Sequence, residues 1–145
     1  MPDYVLIHCN LLYFYIAINN NARNLERYHK IQYPQSIYFI KRLEMLFKEI
    51  PNTLMNEQVI QKINNKEIKN QQDLVKAIKD TRNFITHADV KPKKSELILH
   101  NRELFIGNKI LEMVMKYLIM IELGLDKEDI EKEIKNNSKF YVLYW

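Results

Sequence analysis

The chain has 145 residues, 47% of them hydrophobic, which suits one domain with a core of its own. Its 22 basic and 18 acidic residues give a formal net charge of +4, which is compatible with an anionic partner without requiring one. The single cysteine, Cys9, excludes an internal disulfide framework, and no cysteine and histidine spacing resembles a zinc site. We therefore expect one domain over residues 1–145, in a cytoplasmic protein.

The composition favours helices over strands. Only two glycines and four prolines occur, which leaves few residues suited to the tight turns of an all-β fold. The apolar segment 4–18 contains His8 and Asn10 and is shorter than the roughly 20 residues of a membrane-spanning helix. We therefore expect an all-α protein with no membrane partner.

The first half of the chain predicts three helices. Apolar residues follow one stripe over about residues 4–29, and the asparagine run at 19–21 is a point where this helix bends or breaks. Pro34 suits the first turn of a second helix, which Pro51 ends. A weaker helix is expected at about 56–63.

The second half predicts a helix at about 70–88, for which Asn70 is a suitable N-terminal cap. Proline biases the residue before it away from helical angles, so His87 should lie in the last turn of this helix. A long helix is expected at about 96–123, with a break or kink near Gly107.

The end of the chain predicts one more short helix. Gly124 is a suitable cap for the end of the long helix, and an acidic helix begins near Asp126. Residues 140–145 form an apolar tail. The expected architecture is a single helical bundle of five or six helices.

Arg82 and His87 stand five positions apart near the end of the helix at about 70–88. A permanently charged guanidinium and a titratable imidazole are suited to chemistry on an anionic group. An ideal helix places them on somewhat different sides, so we expect a loosened last turn to bring them together. The pattern is common by chance, and the alternative is an exposed arginine beside a histidine that caps helix carbonyls.

Lysines follow this pair directly. Lys91, Lys93 and Lys94 lie just beyond the helix end and are candidate contacts to an anionic partner. The alternative is that they are ordinary solvated surface lysines.

Three segments together resemble a known family. Residues 82–87 read Arg-Asn-Phe-Ile-Thr-His, which is similar to the Arg-Asn-x-x-Thr-His motif of the ApeA-like family of HEPN domains. Residues 25–30 resemble that family's Leu-Glu-x-x-His-Arg segment, with Lys30 in place of the arginine. Leu-Gly-Leu at 123–125 fits the downstream order. The resemblance spans about residues 25–135.

The resemblance implies an all-α HEPN fold and a metal-independent endoribonuclease. In such an enzyme the ribose 2′-hydroxyl attacks the adjacent phosphate and leaves a cyclic phosphate end. His87 would move protons and Arg82 would stabilise charge on the phosphorane. One histidine does not suffice for both proton transfers, so the resemblance implies a homodimer with two facing Arg/His pairs. We expect RNA as the partner, and no metal ion or cofactor.

Three further residues are candidates for supporting roles. Asn83 can bond phosphate or hold His87, and Thr86 can position a ring or bond the carbonyl one turn back. Glu26 can orient Arg82 across the bundle, and a surface ion pair is an equally good interpretation. His29 matches the family segment, but we interpret it as a structural histidine.

Two functional hypotheses remain open. The first is a ribonuclease that acts in antiviral defence or as a toxin, with an antitoxin or a larger defence protein as a further partner. The second is a catalytically inactive HEPN module that binds RNA or protein and supplies a dimer interface. Exposed Arg82 and His87 in a shared basic cleft would favour the first hypothesis. Burial of either in a private salt bridge would favour the second.

Overall fold

The computed structural model describes residues 3–87 and 93–145. Within these ranges the chain forms α-helices and no strand: α1 Asp3–Gln32, α2 Phe39–Lys48, α3 Glu57–Gln61, α4 Gln71–His87, α5 Arg102–Glu122, α6 Lys127–Asn136 and α7 Tyr141–Tyr144. The all-α fold class is confirmed, and the five helices of ten or more residues agree with the predicted number. No helix in this part of the chain is long and apolar enough to cross a bilayer.

The longest helix, α1, contacts three other helices of the bundle. It packs against α5, α4 and α2, while α2 also packs against α4, and α6 and α7 lie against α5. Each of these helices contributes side chains to one buried hydrophobic cluster. Because α1 touches both α2 and α4, side chains from these three helices meet on one side of the bundle.

The predicted interruption at the asparagine run is wrong, because α1 is helical from Asp3 to Gln32. One of the three asparagines, Asn21, finds a partner across the bundle. The Asn21 amide donates to the side-chain oxygen of Asn108 in α5 at 3.2 Å, and the buried Asn108 donates to the carbonyl of Phe14 at 3.0 Å. Satisfied side chains of this kind do not disrupt a helix.

The predicted start of the second helix at Pro34 is also wrong. Residues 33–38 are not helical, and α2 begins only at Phe39. Three carbonyl groups of this connection bind the side chain of Arg42, so they do not enter helical hydrogen bonds. The connection is therefore extended for a tertiary reason that local sequence rules do not contain.

The helix that carries the Arg/His pair begins close to where it was predicted. Asn70 accepts a hydrogen bond from the Asp73 amide at 2.9 Å and so caps the first turn of α4. The long helix α5 instead begins at Arg102, later than predicted, and passes through Gly107 without a break. A Cβ at Gly107 would lie 3.0 Å from Leu99 Cδ1, so this glycine permits the close approach of Leu99 to α5.

The end of α5 is capped as predicted. Gly124 has a positive φ of 77°, its amide donates to the carbonyl of Ile121 at 2.9 Å, and the Leu125 amide donates to that of Met120 at 3.2 Å. These two bonds form a Schellman cap. Asp126 then caps α6 by accepting from the Glu128 amide at 2.9 Å.

An extended segment returns the chain from α4 to α5. Two buried side chains of α4 hold it: Asp80 accepts from the Leu97 amide at 3.0 Å, and the Thr81 hydroxyl accepts from the Leu99 amide at 2.9 Å. Lys76 adds a bond to the carbonyl of Ser95 at 2.9 Å. These bonds fix residues 95–99 beside α4 and explain why α5 starts late.

Candidate functional site

Arg82 projects from α4 toward α1 and α2 and is held by both. Its Nη2 lies 3.2 Å from Oε2 of Glu26 in α1, and its Cζ lies 4.3 Å from the centre of the Phe39 ring, the first residue of α2. The side chain of Arg82 is 23% exposed. A carboxylate and an aromatic face together fix the guanidinium, while part of the Arg82 side chain stays exposed.

Glu26 serves two cations. Its other carboxylate oxygen, Oε1, lies 3.1 Å from the Lys30 amine, one turn further along α1. One carboxylate between two cations leaves this cluster with a net positive charge. The expected contact between Glu26 and Arg82 is present, and the supporting role of Glu26 stays a prediction.

The hydrogen bonds of Arg82 are incomplete. Its Nε is buried and has no acceptor in the part of the chain that the structure describes. Buried donors without a partner are rare in folded proteins, so each one asks for an explanation. Here the unpaired donor belongs to the arginine that the sequence marks as catalytic.

His87 is exposed and is the last residue of α4. The helix stays regular up to this residue, and the Thr86 hydroxyl donates to the carbonyl of Arg82 at 2.8 Å, one turn back. The predicted loosening of the last turn is therefore not seen up to His87. Five helical positions separate the directions of Arg82 and His87 by about 140°. Within one chain, Arg82 meets Glu26 and not His87.

The other predicted residues differ in exposure. Asn83 is half-buried, and its side chain makes no hydrogen bond to any residue in the described ranges. Lys93 and Lys94 are exposed, as expected for contacts with an anion. Lys91 falls outside the described residues. His29 is buried, which agrees with its interpretation as a structural histidine.

Sequence reasoning missed two features of this site. Phe39 was not singled out, because an aromatic residue in an amphipathic helix usually belongs to the core. Arg23 and Arg27 are exposed, and with Lys30 they share one face of α1 beside Glu26. Their spacing of four and three positions was the available signal.

A site for a metal ion was not predicted. Within residues 3–87 and 93–145, no group of three or more histidine, cysteine, aspartate or glutamate side chains could hold a metal ion.

A family model described as Apea-like HEPN matches residues 13–129, a range that includes both segments 25–30 and 82–87. Comparisons with curated proteins and with solved structures give no match.

Proposed function

Because the chain belongs to the Apea-like HEPN family, we propose that it is a metal-independent endoribonuclease that is completed by dimerisation. Arg82 and His87 are its catalytic residues. The observation that carries the proposal is the end of α4, where an exposed histidine follows an arginine held by a carboxylate and a ring.

The reaction is a transesterification within the RNA chain. The ribose 2′-oxygen bonds to the adjacent phosphorus, and the bond from phosphorus to the 5′-oxygen breaks, which leaves a cyclic phosphate and a free hydroxyl. Neutral His87 accepts the proton of the 2′-hydroxyl, and the protonated histidine of a second copy donates to the leaving oxygen. Arg82 stabilises the negative charge that builds on the phosphorane.

Arg82 is suited to this task because its place is set before RNA arrives. Donors that are already oriented need little reorganisation in the transition state, and this accounts for much of their effect on rate. Glu26 engages Nη2 and Phe39 covers one face, so an incoming phosphate meets a guanidinium of defined orientation.

Dimerisation supplies the second histidine, and the last turn of α1 and the connection to α2 offer apolar surface for it. Ile31 and Tyr38 are 84% and 86% exposed, close in sequence to Lys30 and Phe39 at the arginine site. Large exposed apolar side chains are typical of contact surfaces. We propose that this end of the bundle meets its two-fold mate.

Exposed basic residues of α1 and of the segment after α4 are candidate contacts to RNA. Arg23 and Arg27 on α1 and Lys93 and Lys94 after α4 are exposed, and Lys91 continues the series in sequence. Such contacts bind phosphates without reading bases, so they position the RNA backbone and make its binding salt-dependent. Asn83 is an additional candidate contact to phosphate.

The test is incubation of the purified chain with RNA in the presence of a chelator. We expect cleavage to persist, with products that end in cyclic phosphate, and a 2′-deoxy nucleotide at the cut site to abolish cleavage. Arg82→Ala and His87→Ala should each remove activity. Strict dependence on added magnesium or manganese would overturn the mechanism.

Two variants serve as matched controls. Arg102→Ala and His100→Ala remove the same residue types from exposed positions at the other end of the return segment. Tyr15, which contacts His100, lies eleven positions from Glu26 on α1, roughly 16 Å away. Both controls should cleave RNA as the unaltered protein does. Normal cleavage by Arg82→Ala and His87→Ala would refute the site.

A second candidate function is a catalytically inactive module that binds RNA or protein. The ion pair between Arg82 and Glu26 favours it, because an arginine engaged by a carboxylate is less available to a phosphate. In that case RNA should bind without being cut, and Glu26→Gln should strengthen binding. For a nuclease, Glu26→Gln should lower the cleavage rate, since Arg82 loses its orientation.

For the biological role, we propose antiviral defence or the toxin of a toxin–antitoxin pair. Degradation of cellular RNA arrests growth, so expression of the unaltered chain should be toxic and expression of His87→Ala should not. An antitoxin or a larger defence protein would hold the activity in check. Equal growth of both cultures would contradict this role.

A further inference from the structure

Arg42 is a cation buried in the apolar junction of α1 and α2, with 2% of its surface exposed. Its Nε donates to the carbonyl of Ile37 at 3.1 Å, its Nη2 to that of Gln35 at 2.6 Å, and its Nη1 to that of Tyr33 at 3.0 Å. No carboxylate in the described ranges forms a salt bridge with it. A buried charge is tolerated only when its hydrogen bonds are met, and here the α1–α2 connection meets them.

The remaining acceptor of Arg42 is a histidine. Nη1 of Arg42 lies 2.8 Å from Nδ1 of His29, which is fully buried and stacks on the Tyr33 ring at a centroid distance of 4.7 Å. A guanidinium can only donate, so Nδ1 must accept, and His29 is neutral with its proton on Nε2. That Nε2 is buried and has no partner in the described ranges.

The Arg42–His29 pair lies about one helical turn from Glu26 and Phe39, the two residues that contact Arg82. Glu26 precedes His29 by three positions on α1, and Phe39 precedes Arg42 by three positions on α2. Residues three apart are neighbours on a helix surface. The pair therefore joins α1 to α2 next to the carboxylate and the ring that hold the guanidinium.

We propose that His29 and Arg42 are positioning residues, which lock α1 to α2 so that Glu26 and Phe39 hold Arg82 in its working orientation. The effect on catalysis rests on the proposed ribonuclease function. The effect on the position of Arg82 does not, and it is measured separately.

The substitutions that test this proposal differ in one property, the acceptor at residue 29. His29→Asn places an amide oxygen near the position of Nδ1 and keeps the bond from Arg42. His29→Leu fills similar space without an acceptor and leaves one donor of Arg42 unsatisfied. Asn108→Leu is a matched control, because it removes a buried polar group that ties α1 to α5 rather than to α2.

The position of Arg82 is read by nuclear magnetic resonance. Its side-chain protons lie over the Phe39 ring, so the ring current shifts their resonances upfield, and Phe39→Leu supplies the unshifted reference. We expect the shift to persist in His29→Asn and Asn108→Leu, and to fall by about half or more in His29→Leu. Circular dichroism confirms that each variant is folded.

RNA cleavage is the second readout. Misplacement of a catalytic group by about 1 Å can cost up to a hundredfold in rate, so His29→Leu should lower kcat about tenfold or more. KM should change little, because the exposed basic residues that bind the RNA backbone are untouched. His29→Asn should restore most of kcat, which a merely structural loss of stability would not predict.

The outcomes separate the two claims. A folded His29→Leu that keeps the full upfield shift overturns the proposal. If His29→Leu does not fold, Arg42→Lys replaces it, because a lysine cannot reach all four acceptors, and retention of the shift there overturns the proposal equally. An unaltered protein that cuts no RNA refutes the ribonuclease function, while the resonance of Arg82 still decides whether His29 and Arg42 position it.

Discussion

Arg82 and His87 differ in what each contributes to the folded state. Arg82 is partly buried between a carboxylate and a ring, whereas His87 is exposed. We expect Arg82→Ala to lower the free energy of unfolding by about 1–2 kcal/mol, through loss of the ion pair and the ring contact. His87→Ala should change it by less than about 0.5 kcal/mol. Urea unfolding measures both.

The exposed arginine variant Arg102→Ala is the control for this comparison, and its stability should match that of the unaltered chain. Equal stability of Arg82→Ala and Arg102→Ala would mean that Glu26 and Phe39 do not hold Arg82 in solution.

His29 predicts a dependence of stability on pH. Burial and the Arg42 cation lower the pKa of His29 from its ordinary value of 6.5. Below pH 6.5 the imidazole of His29 becomes protonated in the unfolded chain but stays neutral in the folded chain. The contribution of His29 to the free energy of unfolding is therefore greatest above pH 6.5 and decreases as the pH falls toward the lowered pKa. Thermal unfolding between about pH 7.5 and 5 should show this fall, and His29→Asn should flatten it.

At the level of helices and connections, the return segment after α4 depends on one hydroxyl. The Thr81 hydroxyl accepts from the Leu99 amide and donates to the carbonyl of Ala77 at 2.7 Å, all buried. Thr81→Val leaves that amide unsatisfied and should cost about 1–3 kcal/mol in the free energy of unfolding. Thr86 is exposed, and its hydroxyl also donates to the carbonyl one turn back, that of Arg82. Thr86→Val should therefore lower the free energy of unfolding much less. Equal costs would show that the segment does not need this anchor.

The helices that could be predicted from the sequence are those defined by local signals. Asn70 caps α4 and Gly124 ends α5 through bonds within a few residues, so their positions were read correctly. The start of α2 depends on Arg42, whose carbonyl partners lie five to nine positions earlier, and the start of α5 depends on Thr81, which binds the amide of Leu99 eighteen positions later. Side-chain contacts of this kind override local preference there.

The candidate site was predictable only in part, for the same reason. The spacing of Arg82 and His87 and the family pattern marked both residues. Arg42 was passed over because a charged residue is expected at the surface. It nevertheless falls on the apolar stripe of α2, three positions after Phe39 and four before Leu46, and that placement was the available signal.

For the whole molecule, the expected assembly is a two-fold dimer with both α4 ends at the shared surface. Arg82 and His87 point in different directions within one chain, so the proposed site would need a second copy to gather them around one phosphate. We expect sedimentation to show a dimer and activity to fall on dilution. A monomer with full activity at working concentration would refute the shared site.

Mixing Arg82→Ala with His87→Ala protein tests which arginine and histidine side chains of the two copies are required for cleavage. Each heterodimer carries one intact arginine and one intact histidine, on opposite chains. We expect partial recovery of cleavage if one arginine and the opposite histidine suffice, and little recovery if all four groups are required. Activity of the mixture above that of the unaltered protein would contradict both schemes.

The α1–α2 connection has a consequence for how the bundle opens. Ordering a residue costs about 1–2 kcal/mol of backbone entropy, and residues 33–38 have Arg42 as their common anchor instead of helical bonds. Loss of these guanidinium contacts would release residues 33–38 together and loosen the adjacent Phe39. We therefore expect this segment to open as a cooperative unit at a lower cost than global unfolding. The arginine site would then be lost in brief local openings of a molecule that is otherwise native.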